Sequence, residues 1–220
     1  MKNNFYYILL IIFNLLISRN SEPGSFSITR IHYSGGGDWY SDPSSLPNLL
    51  SFLKENTNIK TNLIEKRAKI GEDEFFESNY LYITGHGNIS LADEEASILR
   101  DHILAGAFLH ADDNYGMDKS FRREMKKVFP EKDWVEIPLD HEIFNIYYKF
   151  PNGLPKIHKH DNNRPQALGL FNKGSLIAIY TYESDLGDGW EDQNVHNNPE
   201  EIRNNALKMG TNIILYALSN

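Results

Sequence analysis

The chain of 220 residues contains no cysteine, and that absence removes three kinds of chemistry. Disulfides, thiolate nucleophiles and cysteine-based zinc sites are all excluded. Basic blocks are missing too. Lys and Arg total 22 against 30 Asp and Glu, for a formal charge of −8. Nucleic acid and anionic lipid need a concentrated basic surface, so neither is an expected partner. No apolar run is long enough for a comfortable membrane span. The stretch from Phe5 to Ile17, broken by Asn14 and preceded by Lys2, has about a dozen apolar residues, the length of a secretory leader. Residues 1–22 are therefore expected to be a signal peptide. Only Ser18 and Ser21 offer small residues before a cut, so an uncleaved N-terminal anchor, the one expected membrane contact, is the second form of export. A buried N-terminal helix is the alternative to both. Residues 23–220 are then a single extracytoplasmic domain, periplasmic or secreted. Also missing are G-x-S-x-G, H-E-x-x-H, G-x-G-x-x-G and P-loop patterns, so no motif supports a serine nucleophile, a zinc protease or a nucleotide site. No cofactor is expected, and no metal set is complete.

What is present alternates between strand and helix. Ser27 to Tyr33 reads as a strand, and Leu46, Leu49, Leu50 and Leu53 recur at helical spacing through Asn56. Asn58 to Ile64 predicts a second strand, continued by Ala68 to Gly71, with a helical turn from Glu72 to Glu77. Tyr80 to Thr84 is a buried-type strand. A helix from Leu91 to Leu104, opened by Ser90 and Asp93, follows it. Ala107 to Ala111 is the next strand, and Asp118 is placed to cap a helix from Lys119 to Phe129. Trp134 to Ile137 is a short strand and Asp140 to Tyr148 a helical segment. The irregular stretch from Phe150 to Pro165 is a candidate lid. Ala167 to Phe171 and Ser175 to Tyr182, joined through Asn172-Lys173-Gly174, read as a hairpin. Pro199 starts a last helix expected to bury Ala206, Met209, Ile213, Ile214 and Leu218. This order predicts an α/β fold with a mainly parallel central sheet.

Four unusual clusters each follow a strand, so in a parallel sheet they should meet at the carboxyl edge, where such folds bind ligands. The first, Gly35-Gly36-Gly37-Asp38-Trp39-Tyr40, can bring main chain close to a ligand and aim N–H groups at an anion. The second, Gly85-His86-Gly87, presents an imidazole able to act as base or metal ligand. The third, His110-Ala111-Asp112-Asp113-Asn114-Tyr115-Gly116, puts His110 and Asp112 on one face of a strand and Asp113 on the other. Asp113 is then free to cap the following helix or pair with Arg122 or Arg123. The fourth, Asp185-Leu186-Gly187-Asp188-Gly189-Trp190-Glu191, lacks the oxygen spacing of a calcium loop and reads as a cleft wall. His141, His158, His160 and His196 lie in polar stretches and read as solvated or as local hydrogen-bond partners.

Together with DPSSLPNLL after Tyr40, FRREM at Phe121 to Met125 and PLDHEIF at Pro138 to Phe144, these clusters resemble the bacterial domain-of-unknown-function family 4159. That family is placed with the class I glutamine amidotransferase-like folds and is close in architecture to ThuA-like proteins. The resemblance covers nearly all of the chain after the leader and implies a flavodoxin-like three-layer sandwich. Amidotransferases carry a cysteine on a sharp turn that corresponds here to His110 to Tyr115, so thiol-dependent glutamine hydrolysis is excluded. The resemblance implies company with membrane-anchored envelope modules, whereas this chain is expected to stand alone behind its leader.

Two functions are compatible with these residues. One is a non-catalytic binding domain for a small polar ligand, such as a sugar, or for an envelope protein. Its binding residues would be Gly36, Gly37, Asp38, Trp39, Tyr40, His86, His110, Asp112, Tyr115, Asp185, Asp188 and Trp190. The other is a hydrolase, with or without a metal, in which Asp112 or Asp38 and His86 do the acid–base work.

Overall fold

The structure, a computed structural model, describes residues 24–158 and 163–220. The leader and His160 lie outside the described residues. Seven strands form one sheet in the order β2-β1-β3-β4-β7-β6-β5. These are β1 Thr29–Ile31, β2 Lys66–Ala68, β3 Tyr80–Ile83, β4 Phe108–Asp112, β5 Val135–Glu136, β6 Gln166–Asn172 and β7 Ser175–Tyr182. Pairings from β2 through β7 are parallel, while β6 and β5 add an antiparallel edge. The five parallel strands thus follow the 2-1-3-4-5 order of flavodoxin-like folds, with β7 in fifth place.

Helices cover both faces of the sheet. On one side lie α1 (Ser45–Asn56) and α7 (Glu200–Ser219), on the other α3 (Asp93–Leu104) and α4 (Asp118–Val128). The short helices α2 (Asp73–Phe76), α5 (Leu186–Trp190) and α6 (Gln193–His196) complete the set among the described residues. Strand alternation divides the core accordingly. Tyr80 and Tyr82 of β3 pack with Leu46, Leu49, Trp190, Ile213 and Ile214. Their neighbours Leu81 and Ile83 pack with Leu99, Ile103, Phe121 and Met125. With both faces covered, β3 and β4 are buried along their whole length. The β6–β7 turn places Lys173 and Gly174 at φ 51° and 89°, the left-handed pair that a two-residue hairpin turn requires.

Several elements differ from expectation. No strand spans 58–64. Leu63 and Ile64 are 44% and 75% exposed, and β1 instead pairs Thr29 with Lys66 through Ile31 with Ala68. Between Asp140 and Tyr148 only a 3-10 turn forms, at Glu142–Phe144. Asn212 of α7 ties that segment down instead, donating to the carbonyls of Ile143 and Tyr148 and accepting from the Tyr148 N–H. In the stretch expected to be a lid, Leu154 and Ile157 are buried, and the Ile157 N–H binds the Ser184 carbonyl at 2.9 Å. That part is pinned to the core. The helix after Ser90 begins at Asp93, where Glu95 accepts the Ala92 N–H, so Ser90 is not its cap. Asp118 is the first residue of α4 rather than its cap and accepts from Arg122 Nε at 2.6 Å. Leu218, expected to be buried, is half exposed.

Candidate site at the carboxyl edge

The strand order reverses between β1 and β3, since β2 lies outward of β1 while β3 and β4 run the other way. Loops leaving the carboxyl ends of two such strands diverge and leave a crevice between them. The triple-glycine loop and the Gly85-His86-Gly87 loop occupy this place. They are zipped together: Gly37 N–H donates to the Asn88 carbonyl at 3.0 Å, Asp38 N–H to the His86 carbonyl at 3.2 Å, and Ser90 N–H to the Ser34 carbonyl at 2.7 Å. The Gly37 and Asp38 N–H groups therefore serve the neighbouring loop and do not point at an anion. Glycine is required by this closeness. A Cβ on Gly37 would come within 2.7 Å of the His86 carbonyl oxygen, and one on Gly85 within 2.4 Å of the Tyr33 hydroxyl.

Above this zipper Asp38 and His86 form a surface pair. Asp38 Oδ2 lies 3.0 Å from His86 Nδ1, with side-chain exposures of 35% and 53%, and Asp38 Oδ1 accepts the His86 N–H. Trp39 stacks on His32 at 4.0 Å, and Tyr40, exposed, meets the Trp39 ring edge-on. Tyr115 is half exposed in the turn after β4, with φ +58°, a left-handed conformation that a non-glycine residue adopts at a cost. Its turn is linked to the first loop by Asn114 Nδ2, 3.3 Å from Ser41 Oγ, and α4 reaches the second loop through Ser120 Oγ and the Gly87 carbonyl at 3.0 Å.

The ends of β4 and β7 are different. His110 and Asp112 do share one face of β4, as alternation requires, but both are fully buried. His110 Nδ1 is 2.9 Å from the Tyr80 hydroxyl and its ring packs edge-on against Tyr82 and Trp190. Burial lowers its pKa to about 3, so the ring is neutral. Asp112 is enclosed by donors: the Thr181 hydroxyl and Leu186 N–H on Oδ1, the Gly187 N–H at 2.6 Å and the Tyr82 hydroxyl at 3.3 Å on Oδ2. It acts as a strap, fastening the start of α5 to the centre of the sheet. Burial raises its pKa to about 7, against the opposing pull of the Thr181 and Gly187 hydrogen bonds. Asp113 faces the other way and accepts the Glu183 N–H at 3.4 Å. It neither caps α4 nor pairs with arginine, because Arg122 and Arg123 are held by Asp118 and Glu124 at 2.6 Å. Trp190 is wholly buried with its indole N–H on the Ala206 carbonyl at 2.8 Å, so its ring belongs to the core and not to a cleft wall.

The glycines of the fourth cluster follow from this packing. A Cβ on Gly187 would sit 3.0–3.1 Å from Tyr82 Oη, Asp112 Oδ2 and Asp42 Oδ2 together, and one on Gly189 would meet the Ala206 Cβ at 2.4 Å. Asp188, on the outer side of α5, lies 2.6 Å from His158 Nδ1 and 3.5 Å from His196 Nε2. Asp42 completes the group. Burial and then the Asp188 charge raise its pKa, while on Asp188 burial acts upward but is outweighed by the His158 hydrogen bond and the His196 charge. The two carboxyls are thus pushed apart, Asp42 up to about 7 and Asp188 downward. Asp185, at φ +56°, has its pKa raised to about 9 by burial and then by the Asp112 charge.

The structure therefore brings the four clusters to one edge but divides their residues. Gly36, Gly37, Asp38, Trp39, Tyr40 and His86 lie at the β1/β3 lip, Tyr115 in the turn after β4, Asp185 and Asp188 after β7, and His110, Asp112 and Trp190 are internal. Sequence reasoning missed Arg30, Asp42, His158 and His196. Arg30 is fully buried on β1 and holds the first loop from beneath, donating to the carbonyls of Ser41 at 2.7 Å and Asp42 at 3.2 Å. A signal existed for it, since a charge on a strand with both faces covered needs local partners. For His158 and His196 there was none: they meet only through the fold. Among the described residues, cavities of about 250–430 Å³ lie elsewhere, lined by neither Asp38, His86 nor Asp188.

Fold and site define an α/β domain of flavodoxin-like strand order with a polar, partly aromatic carboxyl edge and no thiol. The chain belongs to DUF4159, a domain of unknown function, whose family model matches residues 27–218. Comparison with curated proteins gives no match.

Proposed function

We propose that the domain is a non-catalytic, extracytoplasmic binding module that takes a small polar ligand, a sugar above all, or an envelope protein at the β1/β3 lip. The observation that carries this reading is the exposed Asp38–His86 pair at the point where the strand order reverses. A carboxylate that accepts and an imidazole that can donate or accept suit vicinal hydroxyls, and the rings of Tyr40 and Tyr115 offer apolar faces for the C–H side of a sugar. Export rests on the apolar leader alone. Calorimetric titration with a panel of mono- and disaccharides tests the proposal: binding is expected, with at least tenfold loss in Asp38→Ala and His86→Ala. Equal affinity in both variants, or silence across the panel and against envelope extracts, would overturn it.

The second reading, a hydrolase using Asp and His, draws support from another place. Asp112 is enclosed, so acid–base work would fall to Asp42 and Asp188, whose carboxyls are pushed in opposite directions beside His158. Turnover of chromogenic ester, phosphate or glycoside substrates, lost in Asp188→Asn, would favour it over simple binding.

A further inference from the structure

We propose that His158, Asp188 and His196 form a binding site for one divalent transition cation of the zinc type. One ring nitrogen of each histidine and a carboxylate oxygen of Asp188 all lie within 4.8 Å of one another, and His158 Nδ1 and His196 Nε2 stand 2.6 Å and 3.5 Å from the Asp188 carboxylate. Ligand atoms around tetrahedral zinc, at bonds near 2.1 Å, stand about 3.4 Å apart. The three donors need only a small adjustment to reach that spacing. They come from three segments, each fixed independently. His158 follows Ile157, whose N–H is bound to the Ser184 carbonyl at 2.9 Å. Asp188 sits on α5, strapped to the sheet through Asp112. His196 ends α6, where Asn197 turns the chain at φ +53°.

Two further observations point to a cation rather than to a simple ion-pair cluster. His158 Nε2 lies 3.1 Å from Asn198 Oδ1, and the Asn198 side-chain amide is itself directed at the Asp188 carbonyl at 3.4 Å. That fixes the imidazole with its remote N–H donated to an amide oxygen and Nδ1 turned inward, the arrangement metal-bound histidines adopt. His196 Nε2, in turn, is shielded from solvent and has no hydrogen-bond partner, and it lies 3.5 Å from Asp188 Oδ1. A buried ring nitrogen without a partner is unfavourable, and a metal ion at the centre of the group would satisfy it.

The donor set selects the ion. Two imidazoles and one carboxylate suit Zn²⁺ or its first-row neighbours, whereas Ca²⁺ and Mg²⁺ prefer sets made of oxygen. Three protein ligands leave a fourth position for water or the adjacent Asp42 carboxyl. The site stands apart from the Asp38–His86 lip, so either proposal can fail without the other.

The test is equilibrium dialysis of the full chain, stripped with chelator, against Zn²⁺. The expected result is one Zn²⁺ per chain, bound at least tenfold more weakly in His196→Ala and His158→Ala and unchanged in His102→Gln, a histidine at the opposite edge. His196 lies on a short, mostly exposed helix, so its variant is expected to fold, and unchanged circular dichroism confirms that. Co²⁺ is expected to give four- or five-coordinate visible bands that vanish in His196→Ala. Absence of stoichiometric Zn²⁺, or equal affinity in His196→Ala, would overturn the proposal.

Discussion

The two halves of the carboxyl edge use the same residue types for opposite ends. At the β1/β3 lip, Asp38 and His86 pair with each other while their side chains stay open to solvent. At the ends of β4 and β7, Asp112 and His110 carry the same groups in full burial, and every oxygen of Asp112 is engaged by the protein. Burial decides the difference. A carboxylate removed from water must be paired or protonated, so it becomes part of the framework. One left at the surface retains lone pairs for a ligand.

Substitutions that exchange these roles should separate the halves. The largest effect is expected for Asp112→Ala, which deprives Thr181, Gly187, Leu186 and Tyr82 of a common partner. Unfolding in urea should show a loss of about 3 kcal/mol or more. Loss below 1 kcal/mol would place the strap's role elsewhere. Gly189→Ala comes next. Its new methyl would meet the Ala206 Cβ and force α5 from α7, at about 2 kcal/mol in the same assay.

Titration should discriminate the halves as well. The folded pKa values of Asp112 and Asp185 are raised from 3.8 to about 7 and about 9 by burial, so the folded state holds more protons than the unfolded chain between those limits. Their contribution is fully present below the unfolded value and is lost as pH rises through the folded one. Stability in chelator should therefore fall between about pH 5 and pH 8, at up to about 1.4 kcal/mol per pH unit for each group. Asp112→Asn should flatten part of that slope. A stability that rises with pH across this window would contradict the burial argument.

At the lip the same replacements should do little to the fold. Asp38→Ala and His86→Ala remove an exposed pair, and melting should register less than about 1 kcal/mol while ligand binding is lost. Smallest of all is the response of His110. With its pKa lowered to about 3 by burial, its ring resonances should not move in an NMR titration from about pH 5 to pH 8.

The elements that were legible in the sequence are those whose signal is local. Tyr80 to Thr84 is apolar without a break and ends at glycine, and it emerges as β3. The Asn172-Lys173-Gly174 turn carries its own left-handed preference, and it emerges as a hairpin. The stretch 58–64 misled because its apolar residues promise burial, whereas Leu63 and Ile64 are exposed and hydrogen bonding to β1 falls a few residues later. Within the candidate site, the placement of Asp38 and His86 at one sheet edge was legible because each follows a strand at a glycine turn. His110, Asp112 and Trp190 were found too, yet their chemistry was misjudged, since nothing in the local sequence states how deep a strand end lies.

Composition by itself determined that no thiol chemistry is available and that the surface is acidic, because these are sums over residues and need no arrangement. Periodicity determined the alternation of strand and helix, because 2.0- and 3.6-residue repeats are imposed by the backbone. Only the tertiary structure decided that Arg30 supports the first loop, that Asp42 is buried beside the Asp188 charge, and that His158 and His196 converge on Asp188. Those relations join residues far apart along the chain. Their energies depend on desolvation and distance, quantities that exist only once the sheet has brought its carboxyl ends together.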